Sequence, residues 1–207
     1  MKARAIVPHK ALAAAKSRLG GALSADARAA LSLALLRHVC GAVCAAPGVE
    51  AVLVMTPDAA VGALAAAWGV RTRLDPRAGL NAALAEAVRE TDGPGPVLIV
   101  AADLPLLRPA DVEELVAAAG GGRLALAPSK EGTGTNAVGV PPGMRFAPAY
   151  GAGSLAAHRR AARRLGREVM EIHRPGLAFD VDTEADLLAL DGYWATFTSR
   201  DPRFGWR

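Results

Sequence analysis

The stretch "PVLIVAAD", Pro96 to Asp103, constrains the fold more than any other. It is continuously apolar, as a strand covered on both faces is. The rest of the chain supplies the cover, because strand-like runs alternate with helical ones. "ARAIVP", "VEAVLVMT" and "VRTRLD" read as strands. Between them, Ser24 caps a helix that runs to about Ala46 and stops at Pro47-Gly48. Asp58 opens a shorter helix ended by Gly69. "GLNAALAEAVRE" has helical spacing at Leu80, Leu84 and Val88, and Pro109 starts the helix "PADVEELVAAA". "RLALAPS" and "TNAVGV" are two more apolar runs. A basic helix over about Gly153 to Leu165 follows, then "EVMEIH", "AFDVDT" and a last helix from Thr183 or Glu184. This alternation predicts an α/β fold, a mainly parallel sheet with helices on both faces. One domain, 1–190, accounts for it. The remainder, 191–207, is an aromatic tail, "DGYWATFTSRDPRFGWR". It is expected to pack on the domain or on a partner subunit, as in a homodimer, or to be partly disordered.

Composition narrows the class. The 52% hydrophobic content is inflated by alanine. The longest apolar stretch, around Ala27 to Leu36, is broken by Arg37 and His38 and is too short to span a bilayer. The start, "MKARAIVPHK", lacks the apolar core of a signal peptide. Cys40 and Cys44 read as reduced thiols of a cytoplasmic protein, and no His or Cys cluster points to zinc. With a net charge of +4 and only 4% aromatics, base-stacking platforms are scarce. A phosphorylated small molecule fits better than nucleic acid.

Ligands of open α/β sheets bind beyond the carboxyl ends of the strands. Asp103 directly follows "PVLIVAA", and "LAFDVDT" carries Asp180 and Asp182. Two residues apart in a strand, these two share a face. Neighbouring carboxylates repel unless a cation lies between them. Asp103, Asp180 and Asp182 together make a hard oxygen set suited to magnesium. The plainer reading is that Asp180 or Asp182 caps the last helix and Asp103 sits in a turn before Pro105. Opposite charge comes from the first loop, "HKALAAAKSRLGG", with Lys10, Lys16 and Arg18 placed for a triphosphate, or else solvated. No P-loop signature is present. Gly132-x-Gly134-x-x-Ala137 imitates a dinucleotide fingerprint, but a strand-like run follows it where a helix is required. Gly151-x-Gly153-Ser154 does open a helix, whose start offers amide groups to an anion. Arg159, Arg160, Arg163 and Arg164 continue that helix as a solvated face; His158 is placed to reach a ligand, with a surface or packing role the plainer reading. The polar loop Ser129 to Asn136 has more hydroxyls than a hairpin needs.

Six segments in this order, "VPHKALAAAKSRL", "GLNAALAEA", "ADLPLL", "APSKEGTGTNAV", "FAPAYGAGSLAAH" and "PGLAFDVDTEADL", resemble the phospholactate and phosphoenolpyruvate guanylyltransferases of coenzyme F-420 biosynthesis. The likeness spans about Ala5 to Leu190. It departs at His9-Lys10-Ala11, where an apolar residue before the lysine and a proline after it are expected. The resemblance implies a GT-A-like nucleotidyltransferase fold, GTP as donor and Mg2+ as cofactor. The acceptor is a three-carbon phosphorylated acid: phosphoenolpyruvate, 2-phospho-L-lactate or 3-phosphoglycerate. The guanylylated product passes to the next enzyme of the pathway. It further implies that Lys10, Lys16, Arg18 and Asn81 handle the nucleotide, with Lys16, Arg18 and Asp103 catalytic. Thr135, Gly151 and Ser154 would bind the phosphoacid. The alternatives are another GT-A-like nucleotidyltransferase, acting on a sugar phosphate or a molybdopterin, and a non-catalytic nucleotide-binding domain.

Overall fold

Alternation along the strands divides the apolar side chains into two layers. In the computed structural model, which describes residues 1–75, 79–91 and 93–190, Ala5 and Val7 face one layer and Ile6 the other. Leu98 and Val100 likewise oppose Val97 and Ile99. The expected aromatic tail lies outside the described residues.

The strands are β1 (Ala3–Pro8), β2 (Val49–Thr56), β3 (Arg71–Leu74), β4 (Val97–Val100), β5 (Leu124–Pro128), β6 (Thr135–Val140) and β7 (Val169–Glu171). The helices are α1 (Ala25–Cys44), α2 (Ala59–Ala67), α3 (Leu80–Glu90), α4 (Pro109–Gly120), α5 (Ser154–Arg164) and α6 (Pro175–Ala178), with a further helical run at 184–190. Helices α1, α2 and α4 cover one face of the sheet, and α3 and α5 cover the other. The start signals act as expected. Ser24 Oγ accepts from the Ala27 amide, and Asp58 accepts from the Ala60 and Val61 amides. By length and composition α1 could cross a membrane, but Leu36, Val39, Cys40 and Val43 pack into the first layer. Both cysteines are free thiols, and burial, with Cys44 nearby, pushes the Cys40 thiol up to about 12.

The sheet order is β3-β2-β1-β4-β6-β5-β7. Every pairing is parallel except those of β6, which runs against both β4 and β5. The chain therefore winds outward from β1 to β3 and then crosses to the far side of β1 to make β4. The crevice at such a reversal lies beyond the carboxyl ends of the two strands that flank it. Because β6 is reversed, its amino end meets that same crevice. The Ala101 amide donates to the Asn136 carbonyl at 2.8 Å.

One expected element differs. "AFDVDT" is not a strand. Pro175, with its missing amide, starts the single turn α6, and residues 179–182 run extended without a ladder. A backbone bond ties this segment to the crevice, from the Val181 amide to the Asp103 carbonyl at 3.3 Å. The turn approaches the loop before α4 so closely that only glycine fits at 176. A Cβ there would meet the Asp111 carboxylate and stand 2.7 Å from the Leu106 carbonyl oxygen. Gly176→Ala is expected to cost about 1–3 kcal/mol by overpacking. Urea denaturation measures it, and an unchanged midpoint would show that the turn has room to retreat.

Candidate active site

The first loop is held at both ends before it reaches the crevice. The His9 amide extends the β1–β2 pairing to the Met55 carbonyl, and the Leu12 amide donates to Asp58 Oδ2 at 3.0 Å. Asp58 thus ties the loop to the start of α2. The Leu12 amide first, then those of Val61 and Ala60, hold its carboxyl below the usual range. Lys16 then adopts φ 51°, and it is the non-glycine residue of positive φ among the described residues. A left-handed backbone costs an L-residue about 1–2 kcal/mol. This one aims the side chain, which is 7% exposed, at two carboxylates. Lys16 Nζ lies 2.7 Å from Asp103 Oδ2 and 3.3 Å from Asp182 Oδ1. Arg18, 75% exposed, reaches Asp182 Oδ2 at 3.6 Å.

Asp182 is free for this contact because other residues cap the last helix. Asp186 Oδ2 accepts from the Asp182 and Thr183 amides, while the Asp186 amide donates to Thr183 Oγ1. This is a capping box, and it replaces the reading of Asp180 or Asp182 as the cap. Burial works against the Asp186 charge, but the Lys130 hydrogen bond and these amides outweigh it, pulling the carboxyl down to about 2.

Asp180 stands apart from the other two acids. Its carboxylate faces Asn136 Nδ2 at 3.4 Å and Lys130 Nζ at 3.6 Å. Burial, then the charge of Asp103, raises its pKa. Among the described residues no three His, Cys, Asp or Glu side chains converge as a metal set. Of the expected triad, Asp103 and Asp182 meet on Lys16, while Asp180 sits on Lys130 and Asn136. The reason is that the segment carrying Asp180 and Asp182 is not a strand, so spacing alone does not aim both at one point.

A cavity of about 790 Å³ opens where the strand order reverses. His9, Lys10, Lys16, Arg18, Thr56, Asp75, Leu80, Asp103, Thr135, Tyr150 and Asp182 are among its walls. The expected Lys10, Lys16, Arg18, Asp103, Asp182 and Thr135 thus share one space. Asn81 does not line it. Its Nδ2 donates to the Tyr150 carbonyl at 3.0 Å, and its Oδ1 accepts from the Tyr150 amide at 2.7 Å. The side chain clamps α3 to the segment before α5 and stands outside the walls, where a nucleotide contact was expected.

The acceptor residues are only partly gathered. Ser154 Oγ lies 3.3 Å from Thr135 Oγ1, so it reaches the cavity through Thr135. Gly151 is exposed and outside the walls, with φ 128° and open space beside its Cα. The expected free amides at the start of α5 are partly spent: the Ser154 amide donates to the Gly151 carbonyl and the Leu155 amide to the Thr133 carbonyl. Much of the polar loop is also structural. The Gly134 amide donates to Ser129 Oγ, and Lys130 Nζ donates to the Asp180 carbonyl at 2.6 Å and pairs with Asp186 at 2.8 Å. Three polar residues near or in the walls were not among the expected site residues. Asp75 follows β3, where the strand-end rule already pointed. His9 marks the departure from the family pattern; its Nε2 lies 2.9 Å from Ser32 Oγ. His158 lies four residues after Ser154, on the same helix face. It is buried, with Nδ1 3.1 Å from Thr135 Oγ1.

Comparison with known proteins fits this geometry. The model of the family described as "Guanylyl transferase CofC like" matches residues 3–192. The chain belongs to this family. A phosphoenolpyruvate guanylyltransferase of Sphaerobacter thermophilus is 43% identical over 201 residues, covering 95% of this chain and 96% of the relative. One of Rubrobacter xylanophilus is 42% identical, covering 92% and 94%. This CofC-like chain is therefore a nucleotidyltransferase. Its fold is shared with a structure from Desulfovibrio desulfuricans described as a putative nucleotide-diphospho-sugar transferase, at 18% identity, a TM-score of 0.77 and coverage of 98% and 91%. A Mycobacterium tuberculosis structure described as a complex with manganese also matches, at 18% identity, a TM-score of 0.58 and coverage of 92% and 98%. The non-catalytic alternative falls away with the family.

The histidines give the fold an acid limit. Burial, before any other cause, holds His9, His38 and His158 below the ordinary histidine value of 6.5, the latter two at about 4. Between those values the unfolded chain binds protons that the folded chain refuses, so stability falls as pH drops through the window. Melting temperature is expected to decline steadily from about pH 6.5 towards pH 4. A flat profile across that range would contradict the burial of these rings.

Proposed function

We propose that this chain transfers GMP from GTP to a three-carbon phosphorylated acid, releasing diphosphate, in coenzyme F-420 biosynthesis. The acceptor in this reading is phosphoenolpyruvate, the substrate in its relatives' name. The observation that carries the proposal is the meeting of Lys16, Asp103 and Asp182 in a cavity that also holds the Thr135 hydroxyl. The two free thiols fit a reducing cytoplasm.

An oxygen of the acceptor phosphate attacks the α-phosphorus of GTP. The bond from that phosphorus to the bridging oxygen breaks, and diphosphate leaves with the electron pair. The acceptor phosphate is largely dianionic at neutral pH, its second pKa being about 6, so no strong base is required. The obstacle is electrostatic, since one anion must approach another. Lys10, Lys16 and Arg18 offset the triphosphate charge and stabilise the leaving diphosphate. Magnesium is commonly held through one or two carboxylates together with substrate phosphates, and Asp103 with Asp182 offers such a pair. The convergence of both carboxylates on the Lys16 ammonium supports that fit, and Asp180 adds negative potential from behind. Bound there, the ion would screen the phosphates and polarise the phosphoryl group. Thr135, backed by Ser154, donates to the acceptor.

Asp103→Asn and Asp182→Asn are expected to lower turnover by orders of magnitude without changing the melting curve. Near wild-type rates in both would remove the metal assignment. With GTP and ATP compared at subsaturating concentrations, GTP is expected to be preferred, and equal turnover would overturn the donor. Thr135→Ala deletes a hydrogen bond to a charged ligand, worth about 1.5–3 kcal/mol, or roughly ten- to a hundredfold. The KM for phosphoenolpyruvate should rise by that factor while GTP affinity, measured by calorimetry, holds. The reverse pattern would exchange the donor and acceptor sides.

A further inference from the structure

We propose that His158 is a positioning residue that fixes the Thr135 hydroxyl as a hydrogen-bond donor into the cavity, so that this wall accepts an anionic oxygen. The proposal rests on the reading of Thr135 as part of the acceptor site.

His158 lies on α5, four residues after Ser154, and is fully buried. Phe146 packs against its ring at 5.5 Å and Tyr150 meets it edge-on at 5.2 Å. The Ala149 amide donates to Nε2 at 2.9 Å. A ring nitrogen that accepts a hydrogen bond carries no proton, so the neutral ring carries its proton on Nδ1. Nδ1 stands 3.1 Å from Thr135 Oγ1 and therefore donates to it. The other tautomer would set an N–H against the Ala149 amide. It would also draw the Thr135 proton towards the ring and away from the cavity.

The hydroxyl protons can now be counted. Thr135 and Ser154 carry one each and share one bond of 3.3 Å. One proton is left over whichever way that bond runs. His158 cannot take it, because both ring nitrogens are committed. If Thr135 donated to Ser154, the surplus proton would sit on Ser154, which is 2% exposed and has no other side-chain partner among the described residues. A buried donor without an acceptor is costly. Ser154 therefore donates to Thr135, both lone pairs of Thr135 are filled, and the Thr135 proton points into the cavity that this residue lines. At Thr135 the cavity then meets a donor and no acceptor. That position suits a phosphate or carboxylate oxygen and disfavours a ligand N–H or O–H.

The test uses the whole chain with GTP and phosphoenolpyruvate. His158→Gln moves the amide away from the position of Nδ1, whereas His158→Asn puts an amide N–H near it. Expected results are a roughly tenfold rise in the KM for phosphoenolpyruvate in His158→Gln, with the KM for GTP and the melting temperature unchanged, and a KM within about threefold of wild type in His158→Asn. Nitrogen-15 NMR of the wild-type enzyme at neutral pH should show the His158 proton on Nδ1. A proton on Nε2 overturns the proposal, and so does His158→Gln raising both KM values alike. If Thr135→Ala raises the acceptor KM and His158→Gln does not, the positioning role fails and the acceptor site stands. If Thr135→Ala has no effect, the acceptor reading fails, and this proposal with it.

Discussion

Two carboxylates from distant parts of the chain, Asp103 and Asp182, face the ammonium of Lys16. Left alone they would repel each other, and the segments that carry them would be pushed apart. Through Lys16 the end of β4 and the extended run after α6 are joined to the first loop. The contacts span 87 and 166 residues of sequence. Much of the surrounding structure serves to bring these three groups to one place. Asp58 holds the first loop, and the left-handed backbone at Lys16 aims its side chain inward. The Val181 amide ties the late segment to the Asp103 carbonyl. In the proposed reaction the same two carboxylates would take a metal ion, carried with the triphosphate, in place of the ammonium.

A second network holds this late segment to the polar loop and β6. Burial opposes the charge of Lys130, but its hydrogen bond to Asp186 and the charges of Asp180, Asp186 and Glu131 outweigh that and raise its pKa. Asn136 Nδ2 donates to the Leu177 and Ala178 carbonyls at 3.0 Å, fixing α6 against β6. The polar residues of the loop thus divide by position. Ser129, Lys130 and Asn136 hold the frame, while Thr135, at the amino end of the reversed strand, faces the cavity.

Much of the fold was legible in advance, for physical reasons that can be named. Strand β4 had to be covered on both faces because "VLIV" has no polar residue to turn to solvent. Ser24, Asp58 and Pro109 begin helices because each solves the problem of unpaired amides at a helix start. "AFDVDT" misled because alternation of apolar and acidic residues also suits an extended segment without a partner strand. Asn81 carried a nucleotide reading by resemblance; an amide suits a base and a backbone equally well, and the structure places this one on the Tyr150 backbone. For His158 the packing reading outweighed a ligand contact, because nothing local says that Ala149 will take one ring nitrogen and Thr135 the other.

What the sequence by itself determined is the layering, most of the order of elements and the chemical types brought towards the crevice: three carboxylates, a set of cations and a hydroxyl. These follow from periodicity, capping and strand direction, which are local. Tertiary structure decided which of those groups converge. Asp182 joins Asp103 and Asp180 does not, because Lys130 and Asn136 hold the one and Lys16 the other. Thr135 reaches the cavity because β6 runs against its neighbours. Such choices depend on directions in space between residues far apart in the chain, and no spacing along the sequence encodes them.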